Sequence, residues 1–188
     1  MAKILITGSN RGLGAALMAR ARAEGHDPIG TTRDGRDGTV ALTLDDPATV
    51  AAQLQDIGPL DILINNAGII GPDRQSPLDM DFAGFAETLA VNTMAPLAVA
   101  QAVLPNLRES PAPRILTVSS QMAWMGYRKA DGIPVALVDP GWVSTDMGGA
   151  EADESPVEVA AGILAIAARL TMKDTGKFFR FTGEEREF

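Results

Sequence analysis

The sequence has no cysteine and only one histidine, His26, in 188 residues. Without cysteine there is no disulfide and no thiolate metal site. His26 alone cannot build a histidine zinc site, and no histidine-dependent triad is expected, so no metal is expected either. Basic residues are also short, with 16 Lys and Arg against 24 Asp and Glu and a net charge of −8. They form no basic run, so nucleic acid is not an expected partner, and the acidity reads as a solvated surface. No apolar run approaches the ~20 residues of a membrane helix. Met1-Ala2-Lys3 leads straight into a strand with no signal peptide, so a cytoplasmic location away from membranes is expected. What the chain does have is 46% hydrophobic residues, enough for a packed core. Its length suits one domain spanning 1–188, and there is no repeat, low-complexity stretch or linker.

Apolar runs alternate with helical stretches, the pattern of a parallel α/β sheet. Strands are expected at 4–6, 29–32, 40–44, 61–64, 114–119, 133–138 and 178–181. Helices are expected at 13–24, from Asp46-Pro47 to about Gly58-Pro59, over 82–107 as one or two helices interrupted by Pro96, and from Ser155-Pro156 to about Leu170. The implied fold is a doubly wound parallel sheet of the Rossmann type, in three α/β/α layers.

The first strand and first helix are joined by Thr7-Gly8-Ser9-Asn10-Arg11-Gly12-Leu13-Gly14. Glycines allow a tight turn and close backbone approach, and the helix start offers free N–H groups and a positive dipole end. Between a strand and a helix, this turn is suited to the pyrophosphate of a dinucleotide. At the end of the second strand, Thr31-Thr32-Arg33 stands where an NAD-selective site carries an acid. Arg33 and Arg11 can pair with a ribose 2′-phosphate, so NADP(H) is the expected cofactor. Asp34 and Asp37 follow closely, which keeps NAD(H) possible. Asp45 or Asp46 can reach an adenine, although Asp46 reads more simply as a helix cap.

Four further motifs follow in order: Asn65-Asn66-Ala67-Gly68, Val91-Asn92-Thr93, Ser119-Ser120 and Pro140-Gly141-Trp142-Val143-Ser144-Thr145. Together with the glycine turn they make the sequence resemble the short-chain dehydrogenase/reductase superfamily, nearest its small carbonyl-reductase and C-factor-like members. Asn65-Asn66-Ala67-Gly68 looks like the family's adenine-side motif. Asn92, in Val91-Asn92-Thr93, matches its structural and catalytic asparagine. Ser119-Ser120 matches the catalytic serine position at Ser120. Pro140-Gly141-Trp142-Val143-Ser144-Thr145 matches the segment that holds the nicotinamide. The C-terminal Thr175-Gly176-Lys177-Phe178-Phe179 also looks like the family's closing strand. The resemblance implies hydride transfer between NADP(H) and a small carbonyl or alcohol substrate. Ser120 would position the substrate oxygen and Asn92 would hold a water in a proton relay. Asn66, Ala67, Gly68, Pro140, Gly141, Val143 and Thr145 would line the cofactor, with Ser144 as a further candidate contact. Met122, Trp124, Met125, Trp142 and Met147 flank the site, either lining an apolar substrate pocket or packing a lid.

One family feature is missing. A Tyr-x-x-x-Lys pair, in which lysine lowers the tyrosine pKa from its ordinary ~10, does the acid–base work in this family. The only tyrosine here is Tyr127, and Lys129 lies two residues on, on a different helical face. Residues 121–132 are also too few and too poorly patterned for a crossover helix. A single gap between about 127 and 128 is the simpler account, with the Tyr-Lys pair in the lost piece. The rival account keeps Tyr127 as the catalytic tyrosine and needs two deletions. Relatives commonly form dimers or tetramers through that helix, so a homo-oligomer is expected if it exists. Without the pair, the alternative function is an NADP(H)-binding sensor or partner that does not turn over.

Overall fold

The computed structural model describes residues 1–76, 78–119, 132–149 and 151–186. Ser120, Tyr127 and the expected gap lie outside the described residues, as do Met122, Trp124 and Met125. The strands are β1 (Lys3–Ile6), β2 (Asp27–Thr32), β3 (Val40–Ala41), β4 (Ile62–Asn65), β5 (Gln75–Ser76), β6 (Asp79–Met80), β7 (Arg114–Val118), β8 (Val135–Asp139), β9 (Phe178–Arg180) and β10 (Glu185–Arg186). The helices are α1 (Gly12–Ala23), α2 (Val50–Gln53), α3 (Phe82–Leu89), α4 (Ala95–Arg108) and α5 (Pro156–Arg169).

Eight strands form one sheet in the order β10-β9-β8-β7-β4-β1-β2-β3. All neighbours are parallel except β10, which runs antiparallel to β9. This is the doubly wound α/β sheet expected from the sequence. Alternate residues go to opposite faces, as the period of two requires. Ile4, Ile6, Ile62, Ile64, Leu116 and Val138 face one layer with Leu17 and Ala21 of α1 and Val159 and Ile163 of α5. Leu5, Leu63, Ile115 and Val135 face the other, with Val50 of α2 and Val99, Val103 and Leu107 of α4. Strands buried on both faces read as unbroken apolar runs, which is why they are visible in the sequence.

Several boundaries differ from expectation for local reasons. β2 begins at Asp27 and contains Pro28, because β3 pairs only with Thr31 and Thr32 and so leaves the Pro28 edge without a ladder partner. β3 stops at Ala41, since the Thr43 N–H donates to Gln53 Oε1 (2.7 Å) and leaves the ladder. The second helix is short: a 3₁₀ turn at Pro47–Thr49, with Asp46 accepting from Ala48 N, runs into α2 and ends at Gln53. Leu54, Ile57 and Leu60 are then buried in a looser turn that Pro59 keeps from being helical. The span 82–108 is α3, a π-helical turn at Ala90–Met94, and α4. Pro96 has no N–H to close the ordinary i→i−4 bond, and the wider turn sits just before it. A second proline, Pro105, also lies inside α4. This composite helix of 27 residues is, contrary to the reading of the sequence, long and apolar enough to cross a bilayer by length and composition. It packs one face on the sheet through Val99, Val103 and Leu107. The β5–β6 hairpin and β10 carry too few residues to show a periodic signal.

Candidate functional site

The chain runs from β1 outward to β3, then crosses back to β4 on the other side of β1. In open α/β sheets a ligand lies at such a reversal, beyond the carboxyl ends of the strands. Thr7–Gly14 leaves β1 at that place and Asn65–Gly68 leaves β4 beside it. Thr7 Oγ1 accepts from the backbone N–H groups of Asn66 (3.0 Å) and Ala67 (3.1 Å). In return, Asn66 Nδ2 donates to the carbonyls of Thr7 (2.9 Å) and Gly8 (3.2 Å). On the other side, Ser9 N and Ser9 Oγ both donate to the Thr31 carbonyl of β2. Asn66 and Ser9 therefore brace the turn, and the Ser9 hydroxyl proton is directed into β2.

Two glycines are required by geometry. Gly8 has φ +68, and a Cβ there would lie 2.9 Å from Ala67 Cα. A Cβ on Gly14 would lie 2.1 Å from the Gly8 carbonyl oxygen. The turn can be this tight only without side chains at these positions.

The first turn of α1 is open. Arg11, its N-cap, makes no side-chain cap bond, and the turn contains no acid. By contrast Asp81 caps α3 through Ala83 N and Gly84 N. Uncapped N–H groups at a helix start, behind a glycine turn, suit a phosphate by direction and by dipole. Asn10 and Arg33 are exposed and make no hydrogen bond or ion pair among the described residues. Asp34 is engaged elsewhere: Arg36 Nε donates to Asp34 Oδ1 (2.9 Å) and Arg36 Nη2 lies 2.9 Å from Oδ2. That guanidinium, with help from Thr32, lowers the Asp34 carboxyl to about 2. The nearest acid to Arg33 thus has its own cation. Asp45 is exposed, while Asp46 serves as the helix cap.

Across the crevice, Asn92 sits in the π-helical turn. Its Oδ1 accepts from Ile69 N (2.9 Å) and its Nδ2 donates to Ile69 O (2.8 Å), which fastens the segment after Gly68 to the long helix. After β8, Gly141 has φ +72 and donates its N–H to Asp139 Oδ1 (2.9 Å). Val143 is buried. Thr145 Oγ1 accepts from Gly148 N (3.2 Å) and its carbonyl accepts from Gly149 N (2.8 Å), so the loop closes on itself. Trp142 and Met147 are exposed, and Trp142 Nε1 donates to Gly148 O (2.7 Å). The structure thus brings Gly8–Gly14, Arg33, Asn66–Gly68, Asn92 and Pro140–Thr145 to one edge of the sheet.

Some features had no sequence signal. Glu154 binds Arg180 beneath Gly141, and Asp146 pairs with Arg11 (2.8 Å), both across long stretches of chain. The lysines are also informative. Lys3 opens β1, Lys173 lies in the 3₁₀ turn before β9, and Lys177 directly precedes β9. With parallel strands, all three lie at the edge of the sheet opposite the crevice. No described lysine can serve chemistry there.

A family model for short chain dehydrogenases matches residues 40–131. The C-signal of Myxococcus xanthus is 32% identical over 154 residues, covering 68% of this chain and 92% of that protein. A 3-oxoacyl-(acyl-carrier-protein) reductase of Salmonella typhimurium is 28% identical over 200 residues, covering 86% of this chain and 80% of that protein. Among solved structures, an NADPH-bound carbonyl reductase from chicken fatty liver superposes with a TM-score of 0.84 at 24% identity, covering 100% of this chain and 99% of that one. The chain belongs to the short-chain dehydrogenase/reductase superfamily. The 200-residue alignment is longer than the whole 188-residue chain yet covers 86% of it, so the reductase has roughly 40 residues inside the aligned region that this chain lacks.

Proposed function

We propose that this chain, acting as one unit over 1–188, is an NADP(H)-dependent oxidoreductase that reduces a small carbonyl or oxidises the matching alcohol. The observation that carries the reading is the uncapped first turn of α1 behind the glycine turn, at the reversal of the sheet, with unpaired Arg33 beside it. The N–H groups of this turn would hold the pyrophosphate, and Arg33 the ribose 2′-phosphate. NAD(H) would lose the Arg33 contact and bind more weakly. Ala67 and Gly68 would lie along the adenosine side. Pro140, Gly141, Val143 and Thr145 would orient the carboxamide, on a loop held by Asp139 and by its own turn. When bound, the cofactor supplies or accepts the hydride. Ser120 would hold the substrate oxygen, and Asn92 would keep the segment after Gly68 in place. The NADP-bound structures of carbonyl reductases with the same fold support the choice of cofactor.

A second reading is favoured by the lysine positions and by the absent Tyr-x-x-x-Lys pair. In it the protein binds NADP(H) without turnover, as a sensor or partner. Tyr127 has no lysine at the four-residue spacing that this chemistry needs. A gap between about 127 and 128 accounts for both the short crossover and the roughly 40 extra residues in the reductase. Titration with NADPH, followed by NADPH oxidation with a panel of small aldehydes and ketones, decides. Binding with turnover supports the oxidoreductase, binding without turnover supports the second reading, and no binding overturns both. Intact mass separates the two accounts of the gap: 19.7 kDa means that the crossover segment is absent, and a mass about 4 kDa higher means that it is present. Light scattering tests the oligomer: a defined dimer or tetramer shows that assembly does not need the missing helix.

A further inference from the structure

We propose that Asp146 is an internal competitor for the cofactor: in the free protein its carboxylate holds the guanidinium of Arg11 that a cofactor phosphate takes on binding. The inference rests on the NADP(H) reading and deepens it by naming a residue that sets affinity from outside the phosphate turn.

The pair joins two loops far apart in the chain. Arg11 is the N-cap of α1, next to the open N–H groups, and Asp146 follows Thr145 in the loop after β8. Both loops rise from the carboxyl edge of the sheet, so the ion pair bridges the mouth of the crevice. The loops also touch beside it: a Cβ on Gly12 would come 3.2 Å from Thr145 Cγ2.

Its geometry is that of an exchangeable contact. Arg11 Nη1 lies 2.8 Å from Asp146 Oδ2, and the two side chains are 61% and 74% exposed. Exposed ion pairs are weak, so a phosphate with more charge and more acceptor oxygens can displace this carboxylate. The pair is also dispensable to its loop, which closes through Gly148 N and Gly149 N on Thr145. The other cations at this edge are in different states. Arg36 is tied to Asp34 two residues away, and Arg33 is unpaired. Arg11 is held by an acid from the opposite wall of the crevice.

The test is a double-mutant cycle with Asp146→Asn and Arg11→Met, read by fluorescence titration of NADPH and of 2′-phospho-ADP-ribose. Removing the competitor should tighten both ligands about two- to fivefold, in keeping with a weak exposed pair. The same substitution on the Arg11→Met background should change nothing, because the cation for which it competes is gone. Equal tightening on both backgrounds would mean general charge reduction and would overturn the inference. So would an Asp146→Asn protein that binds no tighter than the parent. A parent chain that binds neither ligand overturns the cofactor reading as well, which separates the two failures. Circular dichroism of each variant should be unchanged, since both side chains are exposed.

Discussion

The two walls of the crevice are built differently. Around β1, β2 and β4 the turn groups are closed on one another: Thr7 on Asn66 and Ala67, Asn66 on Thr7 and Gly8, and Ser9 on Thr31. What stays open there is one helix start and two or three exposed polar side chains. Around β7 and β8 the described wall is the self-closed loop 140–149. The sequence has no Tyr-x-x-x-Lys pair. Under the proposed function, holding a dinucleotide and reacting with it fall to separate segments. One can be complete while the other is altered, because the described bonds that brace the glycine turn run to Thr31, Asn66 and Ala67.

The comparison breaks most easily at Gly14. Gly14→Ala places a Cβ against a backbone oxygen that cannot move without disturbing Thr7 and Asn66. A loss of about 3 kcal/mol is expected by urea unfolding, with loss of NADPH binding. Unchanged stability would show that the turn is looser than its hydrogen bonds imply. Arg33→Met is expected to leave stability alone and weaken NADPH about tenfold, roughly 1.4 kcal/mol, as for one charge-assisted contact. NADH affinity should not move; an equal loss of both would place Arg33 on the shared part of the cofactor. Because Asp34 has its carboxyl lowered to about 2, it stays charged and paired with Arg36 above about pH 4, so any change of preference at higher pH should follow the second ionisation of the 2′-phosphate, near pH ~6.

The smallest effect belongs to the opposite edge of the sheet. The Ser110 hydroxyl, then the Lys3 N–H, donate to Asp61 and hold its carboxyl below the usual range. A carboxyl lowered on folding stabilises the protein above its unfolded value of ~3.9, and that contribution is lost as pH falls through the folded value. Thermal unfolding should therefore show a fall in Tm below about pH 4. Ser110→Ala should lower Tm at neutral pH, and its gap to the parent should narrow on acidification. A gap independent of pH would show that Ser110 acts by packing alone.

Much of the architecture was legible because buried parallel strands leave continuous apolar runs and helices end at prolines and glycines. Where the sequence misled, a local bond had replaced the regular ladder. Thr43 turned to Gln53 instead of extending β3, and Pro96 widened a turn of the long helix. The glycine turn was legible for a different reason: glycines are demanded by backbone geometry within eight consecutive residues, a short-range requirement. Asp146 was not, since its partner Arg11 is 135 residues away. Nothing in the flanking residues of either one records the meeting.

By itself, then, the sequence determined the parallel sheet, the place of the glycine turn and the lack of a Tyr-x-x-x-Lys pair. Each of these is a matter of local pattern, residue type or spacing. Only the tertiary structure decided that Ser9 and Asn66 brace the turn, that Arg36 neutralises Asp34 and leaves Arg33 free, and that Asp146 holds Arg11. It also decided that the described lysines stand at the wrong edge. These are facts about which side chains meet, and folding brings them together from segments that carry no mark of one another.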